Sequence, residues 1–419
     1  MSKTKPSNES THLDPLEPLI GQAALMRMWL AGVDFKALAR QLMIRTECNP
    51  YDTHALMDLA SIMYITDHPD IGLSLQEYAL STQQIYRLPT AKATVTLRVL
   101  AFVVPGNLMT NTPLEFLLED SDVSLELFYL VPSGALPDEL PEHDVLFVAI
   151  GESDQNLPLL KTLTGVLDDW PRPVLNRPEH IVRLARDTVY GLLSDAPDIV
   201  IPPSLRVERG FLQAIGLGER NLADSIPDGE YPIIVRPVDS HAGHGLARLD
   251  SADAIGEYLL NNSEGEFFIS PFIYYSDADG LFRKYRIALV KGKPFICHMA
   301  ISEHWMIHYL NAGMEHNAEK RQEEARCMAC FDDDFAVRHA TAFHAIADCM
   351  GLDYLAIDCA ETHDGKLLVF EVDTAMVVHA FDSEDLFPYK KPTMQKLFDA
   401  FRQLLLDCTD CEPTEDRHP

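Results

Sequence analysis

The sequence predicts an α/β protein with a small parallel α/β domain in its first half and an all-helical region at its N-terminus. Apolar residues keep helical spacing at the start of the chain, apolar strands then alternate with helices, and mixed strands and helices follow. A chain of 419 residues, 47% of them hydrophobic, can bury the core of two or three domains. We expect the divisions 1–91, 92–177 and 178–405, with a polar tail at 406–419.

The charge balance argues against nucleic acid as a partner. The sequence has 64 Asp and Glu residues against 34 Lys and Arg, a net charge of -30 that would repel a phosphate backbone. The polar N-terminus lacks the apolar core of a signal peptide, and no later apolar run reaches the length of a membrane span. We therefore expect no membrane partner and a cytoplasmic location.

The region from Ala23 to Arg87 has helical periodicity. Its second part, "NPYDTHALMDLASIMYITDHPDIGLSLQEYALSTQQIYRLP", resembles a tetratricopeptide helical hairpin, although the Trp-Leu-Gly signature is missing. One interpretation is a docking surface for a protein, a peptide or a second subunit, which would make the protein a homodimer. The other is a helical cap that covers a neighbouring domain.

The next region reads as a parallel α/β domain. "TLRVLAFVVPG", "SLELFYLV" and "HDVLFVAIGES" predict strands, and "TPLEFLLED" and "NLPLLKTLTGVLDDW" predict helices between and after them. "RPEHIVRLARDTVYGLLSD" then predicts one amphipathic helix that leads to "IVIPPSLRV".

The eight cysteines are expected to be thiols, because they are scattered along a large chain with no secretory signal. Two pairs have the two-residue gap of a zinc knuckle or redox motif, Cys327 with Cys330 and Cys408 with Cys411. Ordinary buried or surface thiols are the alternative.

The segment "DYLAIDCAETHDGKLLVFEVD" predicts a hairpin with strands at Tyr354–Ala360 and Lys366–Val372, joined by a His-Asp-Gly turn. It carries Asp358, Glu371 and Asp373 among apolar residues, and unpaired buried carboxylates are costly. Three hard oxygen donors favour Mg²⁺, with a solvated sheet edge as the alternative. Glu371 and Asp373 share one face of their strand, which favours the metal.

A second strand, "YPIIVRP", is followed by a loop with Ser240, Gly243 and Gly245 and then by another strand. Glycines let backbone N–H groups approach phosphate oxygens, and Arg236 on the strand supplies a cation beside them. An ordinary glycine-containing hairpin is the alternative.

The order of these motifs resembles the ATP-grasp superfamily over roughly residues 178–380. The phosphate loop at 239–245 is followed by "EFFISPFI", by "KYRIALVKGKPF" and by the acidic hairpin. Members include glutathione synthetase, D-alanine:D-alanine ligase and the ligases that add glutamate to protein C-termini. The resemblance implies ATP and Mg²⁺ as cofactors and a carboxylate–amine ligase that forms an amide through an acyl phosphate.

The resemblance also implies roles for residues of this chain. Arg236 and Arg286 would be catalytic cations that hold the transferred phosphoryl group, and Asp358, Glu371 and Asp373 would hold Mg²⁺. The nucleotide would contact Arg236, Ser240, His241, Gly243, Gly245, Ile269, Phe272 and Ile273, with the last three in the segment that meets adenine.

The stretch after "KYRIAL" is predicted to line the substrate pocket. Polar and aromatic groups cluster there, and the candidate substrate contacts are His304, His308 and Asn311, joined by His379. We expect an amino acid or a short peptide as the substrate. Beside these, Arg283 and Lys284 could help Arg286 to hold an acidic group.

The chain departs from the family pattern at several positions. Arg236 stands where lysine is usual, and Thr188, after Asp187, stands where a second lysine is expected. Asp373 replaces the usual Asn, and the end of the motif, "TAMVVHAFDSEDLFPYKKP", differs from the usual small residues and proline. An inactive nucleotide-binding or scaffold protein and a phosphotransferase therefore remain as alternatives.

Overall fold

The computed structural model describes residues 16–131, 136–137, 139–240 and 243–409. The chain divides into an N-terminal unit, Met1–Pro89, and a C-terminal unit, Thr90–Pro419. Within the described residues, no helix is long and apolar enough to cross a membrane.

The N-terminal unit is helical, as its apolar spacing predicts. Its elements are α1 (Gln22–Leu30), α2 (Phe35–Cys48), α3 (Thr53–Ile65), α4 (Pro69–Leu80) and β1 (Ile85–Arg87). Asp34 and Asp52 begin α2 and α3, and each carboxylate accepts hydrogen bonds from the first-turn N–H groups. Residues from the first three helices form the core: Leu25, Phe35, Leu42, Ala55, Leu59 and Ile62.

The helical prediction is wrong at the end of this region, where Ile85–Arg87 forms a strand. Helix α4 ends at Leu80, and the fully buried Tyr86 lies between more exposed neighbours, an alternation typical of extended chain. β-branched and aromatic residues such as Ile85 and Tyr86 also favour a strand. The tetratricopeptide resemblance remains a prediction.

The C-terminal unit begins with a parallel sheet. Its elements are β2 (Leu97–Val103), α5 (Leu114–Leu117), β3 (Val123–Tyr129), β4 (Val145–Val148), α6 (Leu157–Val166) and β5 (Val174–Leu175). The strands lie in the order β3-β2-β4-β5, and all three pairings are parallel. This confirms the parallel α/β arrangement, and it brings the carboxyl ends of the strands to one edge.

An antiparallel sheet follows. The elements in this part of the chain are α7 (Pro178–Ile181), α8 (Arg186–Leu193), β6 (Ile199–Val200), β7 (Leu205–Glu208), α9 (Arg209–Gly216), β8 (Ile233–Pro237), β9 (Ala247–Leu249), α10 (Asp253–Asn261) and β10 (Glu266–Pro271). The strand order is β7-β10-β8-β9. β8 and β9 form the predicted strand–loop–strand hairpin, with Ile233 opposite Leu249 and Val235 opposite Ala247.

The single helix predicted over residues 177–195 is wrong, because α7 and α8 are separate. The chain is extended at Ala185, with ψ of 135°, and the preceding Leu184 is buried. The break places Arg186 at the first position of α8.

The last sheet contains the acidic hairpin. The remaining elements are β11 (Phe282–Val290), β12 (Lys293–Ser302), short 3₁₀ turns at Tyr309–Asn311 and Met314–His316, α11 (Ala318–Cys330), α12 (Phe335–Arg338), α13 (Ala340–Met350), β13 (Tyr354–Glu361), β14 (Leu367–Asp373) and α14 (Lys390–Thr409). The order is β12-β11-β13-β14-β6, antiparallel except for β14 with β6. The two predicted hairpin strands are confirmed to within one residue at each end, and Gly365 in the turn has φ of 79°.

The predicted polar tail is corrected at its start, since residues 406–409 continue helix α14. Residues 410–419 lie outside the described part of the chain. The cysteines that the structure describes are free thiols, and Cys327 and Cys330 both lie on α11. Cys411 lies outside the described residues, so the Cys408–Cys411 pair is not tested.

Candidate functional site

Ionisable side chains form a row across the last sheet. His298 on β12 lies opposite Arg286 on β11, Arg286 lies opposite Asp358 on β13, and Asp358 lies opposite Glu371 on β14. Directly opposed residues of antiparallel strands project from the same face of a sheet. Four strands therefore bring together groups that are up to 85 positions apart along the chain, the separation of Arg286 and Glu371.

The centre of the row is an ion pair between Arg286 and Asp358. Arg286 donates from Nε to Oδ1 over 2.8 Å and from a terminal nitrogen to Oδ2 over 3.0 Å, a bidentate arrangement. Lys284 Nζ lies 2.7 Å from the same Oδ2. Burial alone would raise the pKa of Asp358, but the charges of Arg286 and Lys284 outweigh it and hold that pKa well below its usual range.

Glu371 is paired with Arg186. The guanidinium of Arg186 donates to Oε1 of Glu371 and, over 3.1 Å, to the carbonyl of Phe370. Burial raises the pKa of Glu371, but the charges of Arg186 and then Arg236 lower it by more, so the net shift of this pKa is downward. In turn, burial and the charge of Arg186 lower the pKa of Arg236 to about 10. Two arginines thus converge on one end of the row.

Two further carboxyl groups at this end of the row, those of Asp373 and Glu152, have raised pKa values. Burial and then the charge of Glu371 raise the pKa of Asp373 to about 6. Burial and then the charges of Asp239 and Asp373 raise the pKa of Glu152 to about 7. Glu152 follows β4 and Gly151, where an added Cβ would lie 2.7 Å from the Thr110 carbonyl and 3.2 Å from Ala375. Glycine therefore permits the close approach that brings Glu152 towards Asp373.

The residues present fit a magnesium ion bound together with phosphate. Among the described residues, no three His, Cys, Asp or Glu side chains are arranged to hold a metal by themselves. Mg²⁺ usually takes one or two carboxylates and completes its coordination with water and phosphate oxygens. Glu371 and Asp373 are the pair that fits, because they share one face of β14, and burial and then the charge of Glu371 raise the pKa of Asp373. Both Asp358 oxygens already contact cations. The three-carboxylate assignment remains a prediction.

The predicted phosphate loop lies next to His308. Gly243 has φ of 75°, and a Cβ there would lie 2.7 Å from Nε2 of His308. Gly245 has φ of 64°, and its carbonyl accepts a hydrogen bond from the Tyr258 hydroxyl over 2.7 Å. Arg236 donates to the side chain and the carbonyl of Ser240, which folds the start of the loop onto this arginine. His241 lies outside the described residues.

The predicted adenine segment divides into two parts. Ile269 is buried inside the sheet and is paired with both Leu205 and Val235, so its backbone lies between two neighbouring strands. Phe272 and Ile273 follow the strand, and only the N–H of Phe272 bonds back, to the carbonyl of Pro232 over 2.9 Å. The structure thus leaves Phe272 and Ile273, rather than Ile269, as the segment that could meet a base.

Aromatic groups surround Phe272. The Trp305 ring packs edge-on to it with centroids 5.5 Å apart, and the Arg248 guanidinium lies 4.7 Å from the Phe272 centroid. A flat surface with an adjacent cation suits a nucleobase.

The predicted substrate residues are only partly brought together. His308 is near the row, because Lys284 donates a hydrogen bond to the carbonyl of the preceding Ile307 over 3.1 Å; burial and then the charge of Lys284 lower the pKa of His308. Asn311 accepts a hydrogen bond from the His308 N–H over 2.9 Å and so shapes that turn. Burial lowers the pKa of His379, which stacks on Phe381. His304 is exposed, and its backbone N–H donates a hydrogen bond to the Ser302 hydroxyl over 3.1 Å.

Sequence reasoning missed several members of this site. The break between α7 and α8 places Arg186 where it contacts Glu371, and no local pattern in the sequence predicts that break. Lys284 was named only as a neighbour of Arg286, yet it contacts Asp358 directly. Arg283, named beside it, is instead paired with Asp277, Asp279 and Glu323. Glu152 could have been noticed, since it lies where a parallel strand ends.

Comparisons with known proteins give weak likeness only. No protein-family profile matches the sequence, and no curated protein is similar to it. Among solved structures, D-alanine–D-alanine ligase from Bacillus anthracis complexed with ATP has 14% identity and a TM-score of 0.45, covering 76% of this chain and 100% of that one. A RimK domain protein ATP-grasp from Sphaerobacter thermophilus has 16% identity and a TM-score of 0.39, covering 74% and 99%.

The ATP-grasp ligase PsnB, complexed with the precursor peptide PsnA2 and AMPPNP, has 13% identity and a TM-score of 0.40, covering 76% of this chain and 99% of that one. At these values the likeness by itself assigns neither a family nor an activity to the chain.

Proposed function

We propose that this protein is an ATP-dependent carboxylate–amine ligase that works with Mg²⁺ through an acyl-phosphate intermediate. The observation that carries the proposal is the convergence of four cations, Arg186, Arg236, Lys284 and Arg286, on Asp358 and Glu371. The motif order that resembles the ATP-grasp superfamily supports the same assignment.

The cation cluster is unusual for this chain. The net charge is -30, yet four cationic side chains surround two carboxylates at the row, and all four are shielded from solvent to a large extent. Burying several cations together costs desolvation free energy unless an anion compensates their charge. A polyphosphate carries several negative charges and matches the sign of these groups.

In this proposal, different residues of the chain would contact the phosphates, the base and the transferred phosphoryl group. Arg236 and the loop at Gly243 and Gly245 would hold the phosphates, with Arg186 beside them, and Phe272 and Ile273 would meet the base. Arg286, locked by Asp358, would present a fixed positive charge to the phosphoryl group as it moves. Mg²⁺, when bound at Glu371 and Asp373, would neutralise charge on the phosphate oxygens.

The proposed reaction has two steps. A substrate carboxylate oxygen attacks the γ-phosphorus, the bond between that phosphorus and the bridging oxygen breaks, and ADP leaves. An amine nitrogen that has lost its ammonium proton then attacks the acyl carbon, and phosphate leaves as the amide forms. His308, next to both the loop and Lys284, is the proposed substrate contact.

A screen of ADP release separates this proposal from its rivals. The full-length protein would be incubated with Mg-ATP and amino acids, dicarboxylic acids and short peptides, and the products would be identified by mass spectrometry. We expect ADP, phosphate and an amide in equal amounts. A stable phosphorylated product would indicate a phosphotransferase, and nucleotide binding without ADP release in any mixture would indicate a binding protein.

The role of Arg236 can be tested without knowing the substrate. Arg236→Ala should weaken ATP binding by about tenfold or more while adenosine binding stays within about twofold, because only ATP presents charged phosphates. Isothermal titration calorimetry measures both ligands. Arg220→Ala is the matched control, since Arg220 is an exposed arginine packed on Phe211. Equal losses for ATP and adenosine would show that Arg236 only supports the fold.

A further inference from the structure

The outer face of α2 combines positive charge with exposed apolar side chains. Lys36, Arg40, Met43, Ile44 and Glu47 fall within one face of the helix, opposite the buried Phe35 and Leu42. Met43 is 51% exposed and Ile44 is 52% exposed. Lys36 and Arg40 make the first half of this face basic, which stands out in a chain whose net charge is -30.

The outer face of α4 has the opposite charge and is also apolar. Asp70 and Glu77 are one heptad apart and therefore share a face, and Ile71 and Tyr78 lie beside them. Ile71 is 53% exposed and Tyr78 is 54% exposed, while Gly72, Gln76, Ala79 and Leu80 form the buried side.

The charges on these two faces have no internal partners. Within the part of the chain that the structure describes, Lys36 and Arg40 form no ion pair, and neither do Asp70 and Glu77. By contrast, Arg45 on the inner side of α2 is paired with Asp52 and Glu17. Paired exposed apolar patches with unused charges are typical of interaction surfaces.

We propose that the protein self-associates through its N-terminal unit, with the basic face of α2 in one copy against the acidic face of α4 in a second copy. A twofold arrangement makes this contact twice, so that each copy contributes both faces. An acidic peptide would match α2 alone and would leave the apolar, acidic face of α4 exposed. A second copy satisfies both faces with one partner, and its local complementarity offsets the repulsion between two acidic chains.

Charge reversal tests the pairing directly. The full-length protein would be studied by sedimentation velocity over a range of concentrations. We expect a monomer–dimer equilibrium, with the dissociation constant raised about tenfold by Arg40→Glu and by Glu77→Arg. The double variant, Arg40→Glu with Glu77→Arg, should recover most of the lost affinity, because the two charges again have opposite signs across the contact. Exposed helix positions of this kind seldom alter folding, which circular dichroism confirms for each variant.

A control variant separates the local contact between α2 and α4 from the effect of net charge. Glu257→Arg makes the same charge change on an exposed position of α10 and should leave the dissociation constant unchanged. An equal change with Glu257→Arg would mean that net charge alone governs association. A wild-type protein that stays monomeric at every concentration would overturn the proposal. Failure of the double variant to recover affinity would overturn the α2–α4 pairing.

Discussion

Two clusters of buried charged groups among the described residues of the C-terminal unit differ in how completely their charges are paired. In one of them, Glu324 on α11 accepts hydrogen bonds from the Met299 N–H over 3.1 Å and from the hydroxyls of Tyr309 and Tyr389 over 2.9 and 2.7 Å. Lys390 Nζ lies 3.6 Å from this carboxylate and 3.6 Å from the centroid of the Tyr309 ring. These partners occupy both carboxylate oxygens of Glu324.

The row on the last sheet differs in its ion pairs. Asp358 is saturated by Arg286 and Lys284, but Asp373 forms no ion pair with any described residue and accepts a hydrogen bond from the Ala375 N–H over 3.0 Å. A buried charge with a complete set of partners supports the fold, whereas an incomplete set leaves affinity for something that is not protein. The difference supports a structural role for Glu324 and the proposed ligand-binding role of the Glu371 end of the row.

The largest expected effect is on stability at the saturated cluster. Glu324→Ala removes the acceptor of two half-buried tyrosine hydroxyls and leaves Lys390, 3% exposed, with Asp382 as its remaining ion-pair partner. We expect a loss of about 3–5 kcal/mol in the free energy of unfolding, measured by urea denaturation. Glu319→Ala, an exposed position on the same helix, should change it by less than about 0.5 kcal/mol. Similar small losses for both variants would show that the cluster is not structural.

The next effect is on ligand binding and not on the fold. Glu371→Gln keeps the shape of the side chain but removes its charge, so Mg-ATP should lose its main metal contact. The wild-type protein should gain about 2.7 kcal/mol at a ligand concentration of 100 Kd, and the variant should gain almost none. Thermal denaturation with and without Mg-ATP measures this. Glu361→Gln, on the same hairpin but paired with Arg338 and His339, should keep the full gain. An unchanged gain in Glu371→Gln would overturn the metal assignment.

A smaller effect concerns pH in the absence of ligand. The pKa of Asp373 is about 6 in the folded protein against 3.8 for the free group, so the folded chain keeps a proton that the unfolded chain releases between these values. The free energy of unfolding should therefore fall as pH rises from about 4 to about 6, by about 1–2 kcal/mol because the side chain is partly exposed.

Denaturation at a series of pH values measures this decline, and Asp373→Asn should remove it. Asp364→Asn in the hairpin turn is the control, because contact with Thr362 lowers the pKa of Asp364 and moves its titration below this window. A decline that persists in Asp373→Asn would assign it to another carboxyl group, with Glu152 the first candidate.

The smallest effect tests whether the phosphate loop serves the row. Gly243→Ala places a side chain at φ of 75° and 2.7 Å from His308, so the loop should shift. We expect a loss of about 1 kcal/mol in ATP binding, several-fold in affinity, measured by calorimetry. Gly265→Ala, where an added Cβ would meet no atom within 4 Å, should leave affinity unchanged.

The double variant Gly243→Ala with His308→Ala sharpens this test, because it removes the steric contact and leaves only the backbone strain. Affinity should recover in part. With His308→Ala alone, ATP affinity should stay within a few-fold, while substrate-dependent ADP release is largely lost once a substrate is known. Normal turnover of His308→Ala would direct the search for the pocket to His379.

Local patterns in the sequence were enough for the elements that carry the site. The acidic hairpin and the β8–β9 hairpin both follow from residues that alternate over a few positions around glycine turns, which are short-range signals. The parallel sheet followed from the alternation of strands and helices. Helix boundaries were less certain, as the break at Ala185 and the strand at Ile85–Arg87 show, because burial of neighbouring residues decided them.

The sequence by itself determined the types of element, the carboxylates on one strand face and the glycines of the loop, because each depends on neighbours along the chain. Only the tertiary structure decided which charges meet. Arg186 reaches Glu371 from 185 positions away, and Glu152 approaches Asp373 because Gly151 permits close packing. Whether a buried charge is satisfied depends on all the groups around it in space, and those groups are far apart along the chain.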